Sequence, residues 1–280
     1  MLQRALMFGI LFLGLGAGWA QAHENSPAQI SNLTHLLEAH PSDPSLYLQR
    51  GALYRLGGNW SAAEADCATA RSLGADASQV AVCLAALELS RGNPTTALAY
   101  LQEVDAVGPS ALFVEGRALR RLGQFREAAT VLGEAVASSP RPRPEDYLEL
   151  SDVVLEQGDP YIPEALEILD AGLRRLGPVV SLTLATVDLE VRRGDHASAL
   201  HRMRSAPPGL QKSPAWITRQ GEILLRSERD LEAQVVFTEA LSLLQALPPH
   251  RRSVPAMVTL ETKLRGHLST PPRALSGTVR

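Results

Sequence analysis

Residues 120–140 read RRLGQFREAATVLGEAVASSP and follow SALFVEGRAL at 110–119, so that two helical patterns flank a turn at Gly123 and Gln124. Small residues recur at fixed offsets from this unit. Counterparts of Ala128 fall at Ala63, Ala97, Ala165, Ala199 and Ala233, and successive markers are 34, 31, 37, 34 and 34 residues apart. Four residues after each marker stands a larger side chain: Cys67, Leu101, Leu132, Leu169, Met203 and Phe237. Five residues before most of them stands a turn glycine, at Gly58, Gly92, Gly123 and Gly194. Recurrence at one period means that one supersecondary unit is stacked several times.

A period of about 34 residues, with a small residue in each of two helices, resembles the tetratricopeptide-repeat family. The small residue of the first helix is matched by Gly51, Ala85, Gly116, Ser151 and Gly221, with Val187 the poor match. A large side chain follows three positions later as Tyr54, Leu119, Val154 and Leu224, and Pro41, Pro109 and Pro140 match a closing proline. The resemblance spans about residues 28–245. It implies an all-α fold, a right-handed α-solenoid of six antiparallel helix hairpins over 44–247. Two helices approach closely only where a side chain at the crossing is small, so Gly116 is expected to face Ala128, with Leu119 and Leu132 beside them.

Smaller signals complete this outline. Ser61 to Glu64 (SAAE) reads as a capping box opening the second helix of the first hairpin, and PYIP at 160–163 lengthens the turn of the fourth. Residues 23–43 are expected to hold a leading helix with Ile30, Leu33, Leu36 and Leu37 on one face. Residues 248–268 are expected to form a basic helix that covers the open end with Val254, Met257, Val258, Leu260 and Leu264. Residues 269–280 lack any period and read as a disordered tail.

The first 22 residues differ in kind. Arg4, an apolar run from Ala5 and the small-x-small triplet Ala20-Gln21-Ala22 form the pattern of a secretory signal peptide. The apolar run falls short of the ~20 residues a spanning helix needs, so cleavage is expected to leave no integral membrane span. The mature chain is then expected in the periplasm or secreted. Residues 248–280 carry six basic side chains and one acidic, while 23–247 are acidic in balance, with 29 acidic side chains against 20 basic. An acidic body argues against nucleic acid, which requires a continuous basic surface.

No set of residues forms a catalytic or metal site, so the sequence reads as a non-enzyme without cofactors. His35 and His40, like His196 and His201, are five apart, whereas two ligands on one helix require three or four. Arg193-Gly194-Asp195 spells an adhesion tripeptide but occupies the hairpin turn. Cys67 and Cys83 fall on helices expected to be adjacent, and either a disulfide or two buried thiols fits them.

The candidate partner site lies on the first helices, which in this family line the concave groove. Phe113, Arg117, Arg120 and Arg121 share one face, and Glu145, Leu148, Asp152, Leu155 and Glu156 form the matching face of the next repeat. Either an Arg–carboxylate ladder joins the two helices, or part of the Arg cluster holds a carboxylate or phosphate of a partner, with Phe113 as the apolar anchor. A chaperone-type member of the family clamps a terminal carboxylate with Lys and Asn. Here Asn25, Asn32, Asn59 and Asn93 fall outside the first helices, and neither Lys212 nor Lys263 is suitably placed. The expected partner is a peptide or protein of the cell envelope. The alternative is an accessory subunit of a polysaccharide-export or cell-wall complex, meeting an acidic polymer or membrane surface through the basic C-terminal end.

Overall fold

The computed structural model describes residues 26–104 and 108–271. The leader expected over 1–22 and the part of the tail from 272 onward lie outside them. Among the described residues every regular element is helical. Contacts divide the chain into two compact units that meet in sequence at Pro140 and Arg141.

The first unit holds α1 (Ser26–Ala39) and three hairpins: α2 (Pro44–Leu56) with α3 (Trp60–Ser72), α4 (Ala77–Arg91) with α5 (Pro94–Glu103), and α6 (Pro109–Arg121) with α7 (Phe125–Ser138). The second begins with α8 (Pro144–Leu155), a 3-10 turn at Asp159–Tyr161 and α9 (Ile162–Leu176). It continues through α10 (Val180–Arg192), α11 (His196–Arg204), the short α12 (Pro208–Gln211), α13 (Pro214–Arg226) and α14 (Asp230–Gln245). It ends with α15 (Pro249–Arg252) and α16 (Pro255–Ser269). Here the hairpins are α8 with α9, α10 with α11, and α13 with α14. Several helices open on proline, whose fixed φ suits the first turn and whose missing N–H would have had no partner there. Pro109 is one of these, so it opens α6 and closes nothing.

The period in the sequence is a packing period. All six marker alanines are at most 1% exposed, and each of the larger residues four positions on is buried. At Gly116 an added Cβ would lie 2.6 Å from Leu132 Cγ and 3.4 Å from the Ala128 carbonyl, so the glycine meets the leucine more closely than the alanine. At Gly221 the same atom would lie 2.5 Å from the Phe237 ring. The hairpin glycines Gly58, Gly92, Gly123 and Gly194 are left-handed, at φ 77° to 89°. In the last hairpin that turn position is Glu228, at φ 58°, the one non-glycine with positive φ among the described residues. An L side chain there crowds the following carbonyl.

Several local expectations are corrected. The cap of α3 is Asn59, whose side chain accepts from the Ala62 N–H at 3.3 Å, and Ser61 lies inside the helix. Within PYIP, Ile162 is buried and begins α9, because the 3-10 turn absorbs the extra residues. Leu33 and Leu37 of α1 are buried but Leu36 is exposed. The segment 251–268 is broken before Pro255 and extends to Ser269. Val254 and Val258 are exposed, and α16 packs on α14 through Leu264 and through His267, whose ring stacks on Phe237 at 4.4 Å. Cys67 of α3 and Cys83 of α4 are joined as a disulfide, with their Cα atoms 6.2 Å apart. The bond ties the first hairpin to the second.

Three stability outcomes follow from this packing. Gly116→Leu should overfill the α6–α7 crossing and cost about 1–3 kcal/mol in urea unfolding; an unchanged midpoint would contradict the crossing. Glu228→Gly should gain about 0.5–1 kcal/mol, the relief of the left-handed backbone less the entropy glycine adds to the unfolded chain, and a lowered midpoint would refute it. Cys83→Ser should lose about 3 kcal/mol, the loop-closure value for a 16-residue separation, and the oxidised wild type should show no thiol to titrant when denatured.

Candidate functional site

The first-helix face of the first unit is built from α2, α4 and α6, each packed on the next. Next to it on α2, Arg50 forms a bidentate pair with Asp66 of α3, Nε to Oδ2 at 2.9 Å and Nη2 to Oδ1 at 2.7 Å, and its Nη1 donates to Thr34 of α1. Asp66 raises the basicity of Arg50 further, and the rings of Tyr47 and Tyr54 lie within 5.7 Å of the guanidinium carbon. This arginine holds three helices together. Arg91, near the end of α4, is shared between Glu64 at 2.6 Å and Glu88 at 2.7 Å, so it too has its counter-charge.

Across the same face the arrangement changes. Arg55 of α2 donates from Nη1 to Ser90 Oγ of α4 at 3.1 Å, and the Ser90 hydroxyl in turn donates to the Ala86 carbonyl. Arg121 of α6 donates to the neighbouring Leu89 carbonyl at 2.7 Å. The end of α4 is therefore gripped from both sides by arginine. Arg117 lies over the Phe113 ring, with its guanidinium carbon 5.5 Å from the centroid. Arg117 and Arg120 are both half-buried and both engaged by further contacts. Burial, reinforced by the charge of Arg117, pushes the Arg55 guanidinium below its ordinary value.

The predicted site thus divides between the units. Phe113, Arg117, Arg120 and Arg121 lie on α6 of the first; Glu145, Leu148, Asp152, Leu155 and Glu156 lie on or just after α8 of the second, with the acids exposed and both leucines half-buried. Asp152 and Glu156 are themselves engaged. Sequence reasoning did not single out Arg55. The signal was present, since Arg55 follows Gly51 by four residues as Arg120 follows Gly116, but it shows only when the repeats are laid over one another.

The second unit carries a ladder of ion pairs. Asp159 pairs with Arg192, Asp188 of α10 with Arg219 of α13, and Glu222 of α13 with Lys263 of α16. Arg202 of α11 donates to both Asp170 oxygens at 2.6 and 2.8 Å and to Glu190 at 2.5 Å, and these partners, Asp170 first, hold it above its ordinary basicity. Burial pushes the Glu190 carboxyl above the usual carboxylate range. A cavity of about 290 Å³ beside Arg202 is lined otherwise by apolar and hydroxyl side chains such as Leu173, Thr186 and Pro207.

The remaining motifs resolve into structure. Asp195 caps α11 through the Ser198 N–H at 3.0 Å and pairs with Arg193, so the adhesion-like tripeptide is a hairpin turn. Backbone hydrogen bonding at Ser198, aided by its partners, keeps the Asp195 carboxyl below its usual range. His35 pairs with Glu38, and no group of metal-ligating side chains assembles among the described residues. At the basic end Lys263 is paired with Glu222 and Arg265 with Glu261, which leaves that end less cationic than its composition suggests.

No helix among the described residues is long and apolar enough to cross a membrane. No family model and no curated protein matches the sequence. Solved structures match the fold. The C-terminal part of a tetratricopeptide-repeat-containing protein from Cytophaga hutchinsonii aligns with a TM-score of 0.55 at 15% identity, covering 87% of this chain and 98% of that one. Pseudomonas aeruginosa PilF gives 0.53 at 17% identity over 81% and 99%. A chain of the APC/C Cut9–Hcn1 hetero-tetramer gives 0.50 at 13% identity over 88% of this chain, which spans about half, 48%, of that one. With its six hairpins, its marker alanines buried at each crossing and these neighbours, the chain has the all-α solenoid fold of the tetratricopeptide-repeat proteins.

Proposed function

We propose that this chain is an exported, non-enzymatic interaction scaffold of the cell envelope, which holds an extended segment of a partner protein on the first-helix face of its hairpins. The observation that carries the reading is the α6 face. Phe113 and Arg117 are stacked there, with Arg120 and Arg121 on the same side, although the repeat requires only Gly116 and its small and apolar neighbours for packing. A ring beside guanidinium groups is a common recognition surface, because it offers apolar area and directional charge at little entropic cost.

Two further observations support parts of the reading. The leader pattern and the pairing of the chain's two cysteines both suit an oxidising compartment outside the cytoplasm. The Cut9–Hcn1 hetero-tetramer is an instance of a related fold assembled with a second chain.

A photo-crosslinking residue placed at Phe113 should capture a discrete protein from envelope extract, and the same residue at exposed Thr130 of α7 should not. Replacing Arg117, Arg120 and Arg121 together by Ala should abolish the capture at Phe113. Equal capture at both positions, or capture undiminished by the triple substitution, would refute the groove.

A further inference from the structure

Five cations elsewhere on the scaffold meet carboxylates. Arg50 has Asp66, Arg91 has Glu64 and Glu88, Arg202 has Asp170 and Glu190, Arg219 has Asp188 and Lys263 has Glu222. All but Arg91–Glu88 join neighbouring helices, and each supplies a carboxylate to its cation.

Arg55 breaks the pattern. It bridges α2 and α4 as those arginines bridge their helices, but its one acceptor is the Ser90 hydroxyl, a neutral group whose own proton is already committed to the Ala86 carbonyl. Among the described residues no carboxylate accepts a hydrogen bond from it, and the neighbouring charge that acts on it is a second cation, Arg117. A guanidinium has five N–H donors in a fixed fork. One of them is used here. None of the Arg55 nitrogens is sealed from solvent without a partner, so the unused donors keep some access to solvent. Arg121 reaches the adjoining Leu89 carbonyl, and Phe113 with Arg117 continues the surface along α6. Holding a half-buried cation beside a second one is unfavourable for Arg55 in the free protein. The same cost disappears when an anion arrives, since a charge-assisted pair in a partly desolvated site is among the stronger polar contacts.

We infer that Arg55, positioned by Ser90 and backed by Arg117, is a binding residue for carboxylate side chains of an acidic segment in the protein partner. The inference rests on the groove reading above and specifies its ligand. Cations drawn from both α2 and α6 fit a run of internal acidic side chains better than a single chain terminus. The site also differs in chemistry from a clamp of lysine and asparagine, since the forked guanidinium donates two parallel hydrogen bonds to a carboxylate.

The test uses the disulfide-intact chain and fluorescein-labelled oligoglutamate with an amidated C-terminus, read by anisotropy against amidated oligoglutamine. Oligoglutamate should bind more tightly than oligoglutamine and weaken as salt rises. Arg55→Gln should lose at least about tenfold in oligoglutamate affinity, the usual scale for one charge-assisted hydrogen bond, while its unfolding midpoint stays level or rises. Arg55→Lys should fall between, keeping charge without the fork, and it replaces Arg55→Gln if that variant fails to fold. Equal binding of the two peptides, or Arg55→Gln binding as the wild type does, overturns the inference. Displacement of oligoglutamate by inorganic phosphate at lower concentration than by free glutamate overturns it too, in favour of a phosphate ligand. Capture at Phe113 without oligoglutamate binding sinks the inference and leaves the groove standing; absence of both sinks the two together.

Discussion

The close approach of two helices within each hairpin is the constraint on which everything else depends. A hairpin of two amphipathic helices cannot bury enough apolar surface alone, so it must pack tightly within itself and then stack on its neighbours. Tight packing requires a position without bulk on at least one helix at the crossing. Gly116 against Leu132 and Gly221 against Phe237 show the most compact solution, where the partner side chain occupies the volume a Cβ would take. Where the first helix carries Ser151 or Val187 instead, the marker alanine on the second helix remains, and both positions are still buried. The chain can vary one side of the crossing because the other is held small.

This explains why the fold was legible in sequence. Alanines at Ala63, Ala97, Ala128, Ala165, Ala199 and Ala233 are periodic because the crossing is, and each is buried in the structure. Hairpin boundaries were legible for the same reason, through the glycines that must be left-handed. The last turn escaped that signal because Glu228 takes the left-handed conformation without being glycine. The ends were harder. Residues 251–268 carry apolar side chains at helical spacing, but a terminal helix has a neighbour on one side only, so Val254 and Val258 stay exposed while Leu264 is buried.

Charge was much less legible, for a physical reason. Packing repeats every hairpin, but an ion pair between hairpins joins residues about one period apart in sequence, and a long side chain can reach several acceptors from one position. Thus Arg202 could be placed on its helix from sequence, yet its choice of Asp170 and Glu190 depends on the rotation of three helices. The arginines of α6 were visible because they are adjacent in sequence. Arg55 was not, since its neutral acceptor is a property of what surrounds it, and nothing in the local sequence of α2 records that Ser90 stands opposite.

The two kinds of arginine on this scaffold carry different consequences. Arg50 satisfies Asp66 and Thr34 together, so its loss would strand a buried carboxylate; its role is completed inside the fold. Arg55 strands nothing, because Ser90 retains its bond to Ala86 without it. A half-buried cation whose one acceptor is a neutral hydroxyl gains more from an arriving anion than a cation already paired inside the fold. On a repeat array, where packing positions are fixed by the crossing and the remaining face is at liberty to vary, such a residue is where the proposed recognition would act.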